Sequence, residues 1–285
     1  MSKLIHAQLR RLFKVKLFWV IWAAVALIQT YLCVVNRDLE DYFEWLLFNF
    51  TPYQCFISAG FCGLFIGTEH SDGAMRNKLI VGGTRAAVYG ANLIVCALAC
   101  VLFEATSYVI VCTLGPLLYG TLGDPLTPAF FILCSLLVNV AFVALFTALS
   151  MVNSNKAGGV IVAFAMAFAL IFVTAQISDR LDEPEQLQNG PIVVTEDGVI
   201  MVDPSTRELY DNPLYVPEGP ARDALQFFCD FLPAGQTVAL ANFYGRYYRV
   251  VPLISEHWYW PICSLLFALC ATSVGLAIYK RKDIK

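Results

Sequence analysis

The sequence predicts an all-α polytopic membrane protein with six transmembrane helices, an amphipathic N-terminal interface helix and a small α+β extracytoplasmic segment before the last span. Three observations carry that prediction. Hydrophobic residues make up 58% of the 285 and charged residues only 14%, where soluble domains carry roughly a quarter charged. Six apolar windows, near 17–35, 47–67, 87–114, 128–151, 158–176 and 257–279, are each long enough to cross about 30 Å of hydrocarbon at about 1.5 Å per residue. The basic residues are also segregated: 13 of 19 fall in the N-terminal segment, the connector after the second window, the turn at 153–158 and the tail. Since Lys and Arg are retained on the cytoplasmic side, both termini are expected there, with most carboxylates outside.

These windows divide the chain into an interface helix over 1–16, spans one to five over 17–176, an extracytoplasmic segment over 177–256, and a sixth span with a basic tail over 257–285. Residues 1–16 set Leu4, Ile5, Leu9, Leu12 and Phe13 against Lys3, Arg10, Arg11, Lys14 and Lys16. That pattern suits a helix lying along the inner surface against anionic lipid headgroups, and it serves equally as a topogenic signal. The first apolar run is of span length and lacks a small-residue cleavage site, so no cleavable signal is expected.

The first span carries Trp19 and Trp22 near its inner interface, and a short acidic turn over 38–44 leads to the second. Pro52 sits near the outer end of the second span, where it either starts or kinks the helix. Residues 67–92, GTEHSDGAMRNKLIVGGTRAAVYGAN, then form a polar, basic island between two apolar runs. Glu69, Ser71 and Asp72 precede Met75, Leu79 and Ile80, an order that suits an acidic cap followed by a short helix with one apolar side. Gly82 and Gly83 end that helix and return the chain to the membrane.

Glu69, Asp72, Gly73, Arg76, Asn77, Lys78, Leu79, Gly82, Arg85, Tyr89 and Asn92 resemble the pattern that follows the second span in membrane subunits of the ABC type-2 permease family. The resemblance implies a coupling helix at 69–84 that docks in a groove of a separate ATP-binding subunit. Glu69, Asp72, Arg76, Asn77, Lys78, Leu79 and Arg85 are its implied ATPase-coupling residues. It also implies a second permease chain, identical or homologous, and short helices before the last span that re-enter the membrane partway. ATP and Mg would be bound by the partner ATPase, not by this chain. Membrane lipids are expected partners, nucleic acid is not, and the expected location is the bacterial plasma membrane.

The third span holds Glu104, the one carboxylate well inside a predicted span, about 25 Å along its helix. An ionisable group in hydrocarbon must be paired, neutral or wetted. Three roles are open to it: a structural bond to Gln54 or Asn139, a place with those two residues on a translocation surface, or a proton relay. Gly115 to Pro128 reads as an outer loop, and Asn153 to Lys156 as a tight inner turn. In the fifth span Gly159, Ala163 and Ala167 recur every four residues, a stripe for close helix packing.

The segment over 177–256 is too long for a bare loop. Val193 to Met201 reads as a β-hairpin with an Asp197-Gly198 turn. Ala221 to Leu232 reads as a helix with Leu225, Phe228 and Leu232 on one stripe, and Gln236 to Tyr244 as a second helix. Both are too short and polar to span and are expected to cap the outer mouth or lie in the outer interface. Tyr244, Tyr247, Tyr248, Trp258, Tyr259 and Trp260 suit an aromatic belt there.

The chain carries no Gly-x-x-x-x-Gly-Lys-[Ser/Thr] loop, no His-Glu-x-x-His and no Gly-x-Ser-x-Gly, so it is not expected to be an enzyme. Three scattered histidines and ten cysteines, nine of them in or near spans, show no metal-ligand spacing and no disulfide framework. Two readings remain: the permease subunit of an ATP-driven exporter, whose cargo the sequence does not name, or an ATPase-independent membrane binding or immunity protein or secondary carrier.

Overall fold

The computed structural model describes residues 2–36, 43–120, 125–153, 155–189, 192–194, 200–202, 208–243 and 254–282. The acidic turn at 38–42, the Asp-Gly turn at 197–198 and the aromatic positions at 244, 247 and 248 lie outside the described residues. Among the described residues twelve helices and four strands follow one another, and six stretches are long and apolar enough to cross a membrane.

Helix α1 (Ser2–Lys14) turns through extended Val15 into α2 (Lys16–Val35), the first of these stretches. Gln8 and Leu12 are buried and Leu4 and Leu9 pack on the core, so one side of α1 rests on the protein, against α6 above all. A short α3 (Phe43–Phe48) precedes α4 (Thr51–Ser71). Pro52 stands in the first turn of α4, where its missing N–H costs nothing, and therefore starts the helix.

The island after α4 is shorter as a helix than its sequence suggests. Glu69 and Ser71 belong to the last turns of α4, and the separate helix α5 is only Ala74–Ile80. The expected acidic cap is absent: Gly73 stands at the N-cap with φ +68° and no side-chain hydrogen bond. Such a left-handed break needs glycine. After α5, Gly82 adopts φ +94° and turns the chain toward α6 (Arg85–Tyr119), as the sequence implied.

Thr84 caps α6 by accepting from the Ala87 N–H at 3.2 Å. The 35 residues of α6 extend it about 52 Å, so Gly115 to Tyr119 are helical and not part of the expected loop. Pro116 is tolerated so close to the terminus, and the Tyr119 hydroxyl donates to the Cys33 carbonyl of α2 at 2.7 Å, which holds the extra turn in place. Helices α7 (Leu126–Val152) and α8 (Lys156–Asp182) are joined by a tight turn in which Asn155 accepts from the Ala157 N–H at 3.1 Å. Gly159, Ala163 and Ala167 of α8 are all buried, as a packing stripe requires.

Beyond α8 come β1 (Gln186–Asn189), β2 (Ile192–Val194), β3 (Ile200–Val202) and β4 (Glu208–Asp211). The expected hairpin pairs Ile192, Val193 and Val194 with Val202, Met201 and Ile200, and the antiparallel pair β1–β4 flanks it in sequence. Asn212 fastens this unit to α8, donating to Glu183 at 2.8 Å and the Pro184 carbonyl at 2.9 Å.

Helices α9 (Pro220–Phe231) and α10 (Pro233–Phe243) form a hairpin with a one-residue joint at Leu232. Its joint and α10 pack into the helix bundle. Arg222 near the start of α9 donates to the Leu181 carbonyl at the end of α8, at 2.6 Å, whereas Phe231 at the joint stacks edge-on with Phe267. Phe267 lies two turns inside α12 (Trp260–Arg281), which follows the single turn α11 (Ile254–His257), so the joint points about 10 Å inward from the α12 start. Residues Pro233 to Val238 are all buried, among α8, α7 and α4. The expected apolar stripe of α9 is not the buried one either: Phe227 and Phe228 face out, and Cys229 and Asp230 face in.

The core follows from these packings. Within an apolar 18-residue window of each stretch, 67% of the residues of α4, 56% of α7 and 50% of α6 are buried, against 22% for α2, 17% for α8 and 28% for α12. Helices α4, α6 and α7 are therefore the interior and α2, α8 and α12 the apolar periphery. Phe18, Phe61, Phe65 and Phe103 interlock at the centre, with Phe103 against both Phe18 and Phe61 at 5.4 Å between centroids.

Candidate functional site

The α1 face, the end of α4, α5, the start of α6 and the end of α12 gather at one basic end of the bundle, and a single carboxylate ties most of them together. Glu69 is 1% exposed. It accepts from the Gln8 amide of α1 at 2.8 Å, from the Asn92 amide of α6 at 3.2 Å and from the Lys78 ammonium of α5, and it pairs with the Arg11 guanidinium at 2.5 Å. Gln8 also donates to Asn92 at 2.8 Å, closing a ring of amides around the acid. Arg11 reaches on to the Phe65 carbonyl at 2.8 Å and lies 4.3 Å over the Phe65 ring. A buried carboxylate is tolerable because two cations and two amide donors share it. Burial pushes the Lys78 ammonium below its ordinary value, and the Glu69 carboxylate opposes that fall.

Arg85 makes a second clasp at this end. Its guanidinium donates to the carbonyls of Tyr279 at 3.1 Å, Lys280 at 2.8 Å and Lys282 at 2.5 Å, capping the end of α12 with a cation. The seven residues implied for ATPase coupling therefore divide. Glu69, Lys78 and Arg85 point into the protein, and Leu79 packs on the core. Asp72, Arg76 and Asn77 are exposed, and beside them Ile80 is 70% and Val81 88% exposed. The expected apolar side of the helix is thus split: Met75 and Leu79 hold α5 to the bundle, and Ile80 faces away with Val81.

Glu104 lies at the middle of α6, 3% exposed, between α4 and α7. Its Oε1 accepts from the Ser135 hydroxyl of α7 and from the Tyr108 hydroxyl at 3.2 Å. Of the two expected partners, the Asn139 amide stands against the Glu104 carboxyl and also donates to the Cys100 carbonyl at 3.0 Å, whereas Gln54 donates to that carbonyl at 3.0 Å, and Ser58 donates to Asn139 at 2.8 Å. Sequence spacing found the right helices and Asn139 but not Ser135 or Tyr108, because the tilt of each helix fixes which turn meets which. All of these groups are enclosed within one chain.

Sequence reading missed a third cluster, at the α9–α10 hairpin. Asp230, 6% exposed, accepts from the Tyr259 hydroxyl at 2.7 Å and the Trp260 indole N–H at 3.0 Å. Gln236 of α10 donates to the Asp230 carbonyl at 2.6 Å and accepts from the Ser264 hydroxyl of α12 at 2.9 Å. The available signal was a lone acid inside the run Phe227-Phe228-Cys229-Asp230-Phe231-Leu232. All ten cysteines are free, and no metal-holding group of three or more His, Cys, Asp or Glu occurs among the described residues.

No protein-family model matches the sequence, and no curated protein matches it.

The three clusters differ in what they can do. The Glu69 knot ties α5 to α4 and, through the shared carboxylate, to α1 and α6, and the Arg85 clasp ties the start of α6 to the end of α12. The Asp230 cluster pins the hairpin to the last span. The Glu104 cluster is the chemistry available at the centre of the bundle.

Proposed function

We propose that this chain is the permease subunit of an ATP-driven ABC exporter, drawing its power from a separate ATPase chain that binds ATP and Mg. The observation that carries this reading is the division within residues 72–85. Arg76, Asn77, Ile80 and Val81 form an exposed surface with a cation, an amide and two bare aliphatic side chains, while Lys78 and Arg85 on the same segment are tied into the bundle. A helix that only connected two spans would have no need of both features. A helix that receives force from a docked protein needs an apolar anchor outside and rigid joints inside.

In this reading the basic end is cytoplasmic by the retention of Lys and Arg, and the strands and α9 are extracytoplasmic. The location is a bacterial plasma membrane. A second permease, identical or homologous, completes the path, and Glu104, Gln54 and Asn139 reach it only when α4, α6 and α7 part. The exposed basic side of α1, with Lys3, Arg10 and Lys14, meets anionic lipid. Trp258, exposed at the opposite end, suits an amphipathic cargo such as a peptide, an antibiotic or a lipid.

The double variant Arg76→Glu with Ile80→Asp tests the docking surface without touching the joints. It is expected to insert and fold as the parent does and to lose at least about tenfold in ATPase binding, equivalent to ~1.4 kcal/mol. Unchanged ATPase capture and unchanged substrate-stimulated hydrolysis in that variant would refute the docking role.

A further inference from the structure

Helix α4 lays a row of glycines against α8. A Cβ added at Gly60 would stand 3.2 Å from the Phe164 ring, one at Gly63 2.9 Å from Val160 Cα, and one at Gly67 2.8 Å from Lys156 Cα. The partners Lys156, Val160 and Phe164 recur at every fourth position of α8, so the two backbones close on each other along a seam that reaches the basic end of the bundle. Beside that seam a groove of about 440 Å³ opens, lined by Leu64 of α4 and by Asn155, Lys156, Ala157, Val160 and Ile161.

The groove is apolar along its length and charged at one end. Leu64, Ala157, Val160 and Ile161 offer hydrocarbon side chains, and Ile161 is 65% exposed on a helix that belongs to the apolar periphery. Lys156 is the first residue of α8, and its stem lies across Gly67, whose added Cβ would meet Lys156 Cγ at 3.1 Å. No hydrogen bond or ion pair among the described residues engages its ammonium, and no carboxylate lines the groove. Asn155 beside it spends its side-chain oxygen on the Ala157 N–H at 3.1 Å, which leaves its amide N–H groups for an outside acceptor. Hydrocarbon that ends in an unpaired cation and an amide donor, where a span leaves the membrane, complements a molecule with an acyl chain and an anionic head. A zwitterionic lipid carries its own cation beside the phosphate and complements it less well.

We propose that this groove is a binding site for one anionic phospholipid, its phosphate held by Lys156 and Asn155 and an acyl chain laid over Leu64, Val160 and Ile161. The site is separate from the basic side of α1. It needs no partner chain, so it does not rest on the exporter reading.

Native mass spectrometry of the full chain in a mild detergent, titrated with dioleoylphosphatidylglycerol or dioleoylphosphatidylcholine, tests it. One phosphatidylglycerol is expected to stay bound at concentrations where phosphatidylcholine does not. Lys156→Gln should weaken that first binding step roughly fivefold. Ala157→Phe fills the groove from an exposed position and should abolish the step, while Lys14→Gln on α1 should leave it unchanged. Equal binding of the two lipids, or unchanged phosphatidylglycerol binding in both Lys156→Gln and Ala157→Phe, would overturn the proposal. So would displacement of the lipid by inorganic phosphate, which would make this an anion site without a chain, or a loss of self-association in Ala157→Phe with the lipid retained, which would assign the groove to a second copy.

Discussion

Glu69 shows how much one side chain can organise when it is buried among cations. Its two oxygens serve α1, α5 and α6 at once from the last turn of α4. Removing the acid leaves Arg11 and Lys78, only 25% and 19% exposed, facing each other without a counter-charge. Breaking a buried pair in this way costs roughly 3–5 kcal/mol. Glu69→Ala is therefore expected to lower the thermal midpoint of the detergent-solubilised protein markedly, and Glu69→Gln to lower it less because the amides keep a partner. In a double-mutant cycle with Arg11→Ala the two losses should be far from additive; additive losses would mean that the pair contributes nothing. The sequence made Glu69 conspicuous as an acid in a basic island, and its place at a helix start was the natural reading. It could not reveal that Gln8, 61 positions earlier, would be its partner, because long-range hydrogen bonds leave no periodicity.

At the scale of elements, length and hydropathy made the six spans legible, since each must cross the same thickness. Small-residue spacing did the same for the buried stripe of α8. The short elements were harder to read. α5 lost its first turn to α4 because the break falls at Gly73, where a left-handed backbone is cheap, and not at the acidic residues before it. α10 looked like a surface cap because Gln236 and Thr237 are polar. It is buried because those groups are satisfied inside, Gln236 by the Asp230 carbonyl and Ser264, and Thr237 by the Pro233 carbonyl at 2.8 Å. Asp230 anchors that hairpin, which makes a prediction. Asp230→Leu leaves the Tyr259 hydroxyl and the Trp260 N–H without an acceptor, at about 1–3 kcal/mol each. It should expose the joint at Leu232 to protease and move the Trp260 fluorescence, with Asp230→Asn intermediate. A protease pattern and an emission spectrum identical to the parent would show that the cluster does not hold the hairpin.

For the whole molecule, the arrangement is a central trio of α4, α6 and α7 inside an apolar periphery, with joints at the two ends. At the basic end the Glu69 knot binds α5 to α4 and, through the shared carboxylate, to α1 and α6, and the Arg85 clasp binds the start of α6 to α12; at the far end Asp230 binds the hairpin to α12. A push on α5 would accordingly be felt by α4 and α6 together, and the groups between them are those of the Glu104 cluster. Composition and charge segregation made the membrane class and the basic end legible, whereas the joints that would transmit a push could only be seen once the helices were packed. The central claim is that α5 receives that push from a second protein. Its most direct test is mass spectrometry of the gently solubilised, affinity-purified chain expressed together with its neighbouring genes. The account predicts a stoichiometric soluble ATPase alongside two permease chains. An intact chain that purifies alone from several mild detergents would contradict it.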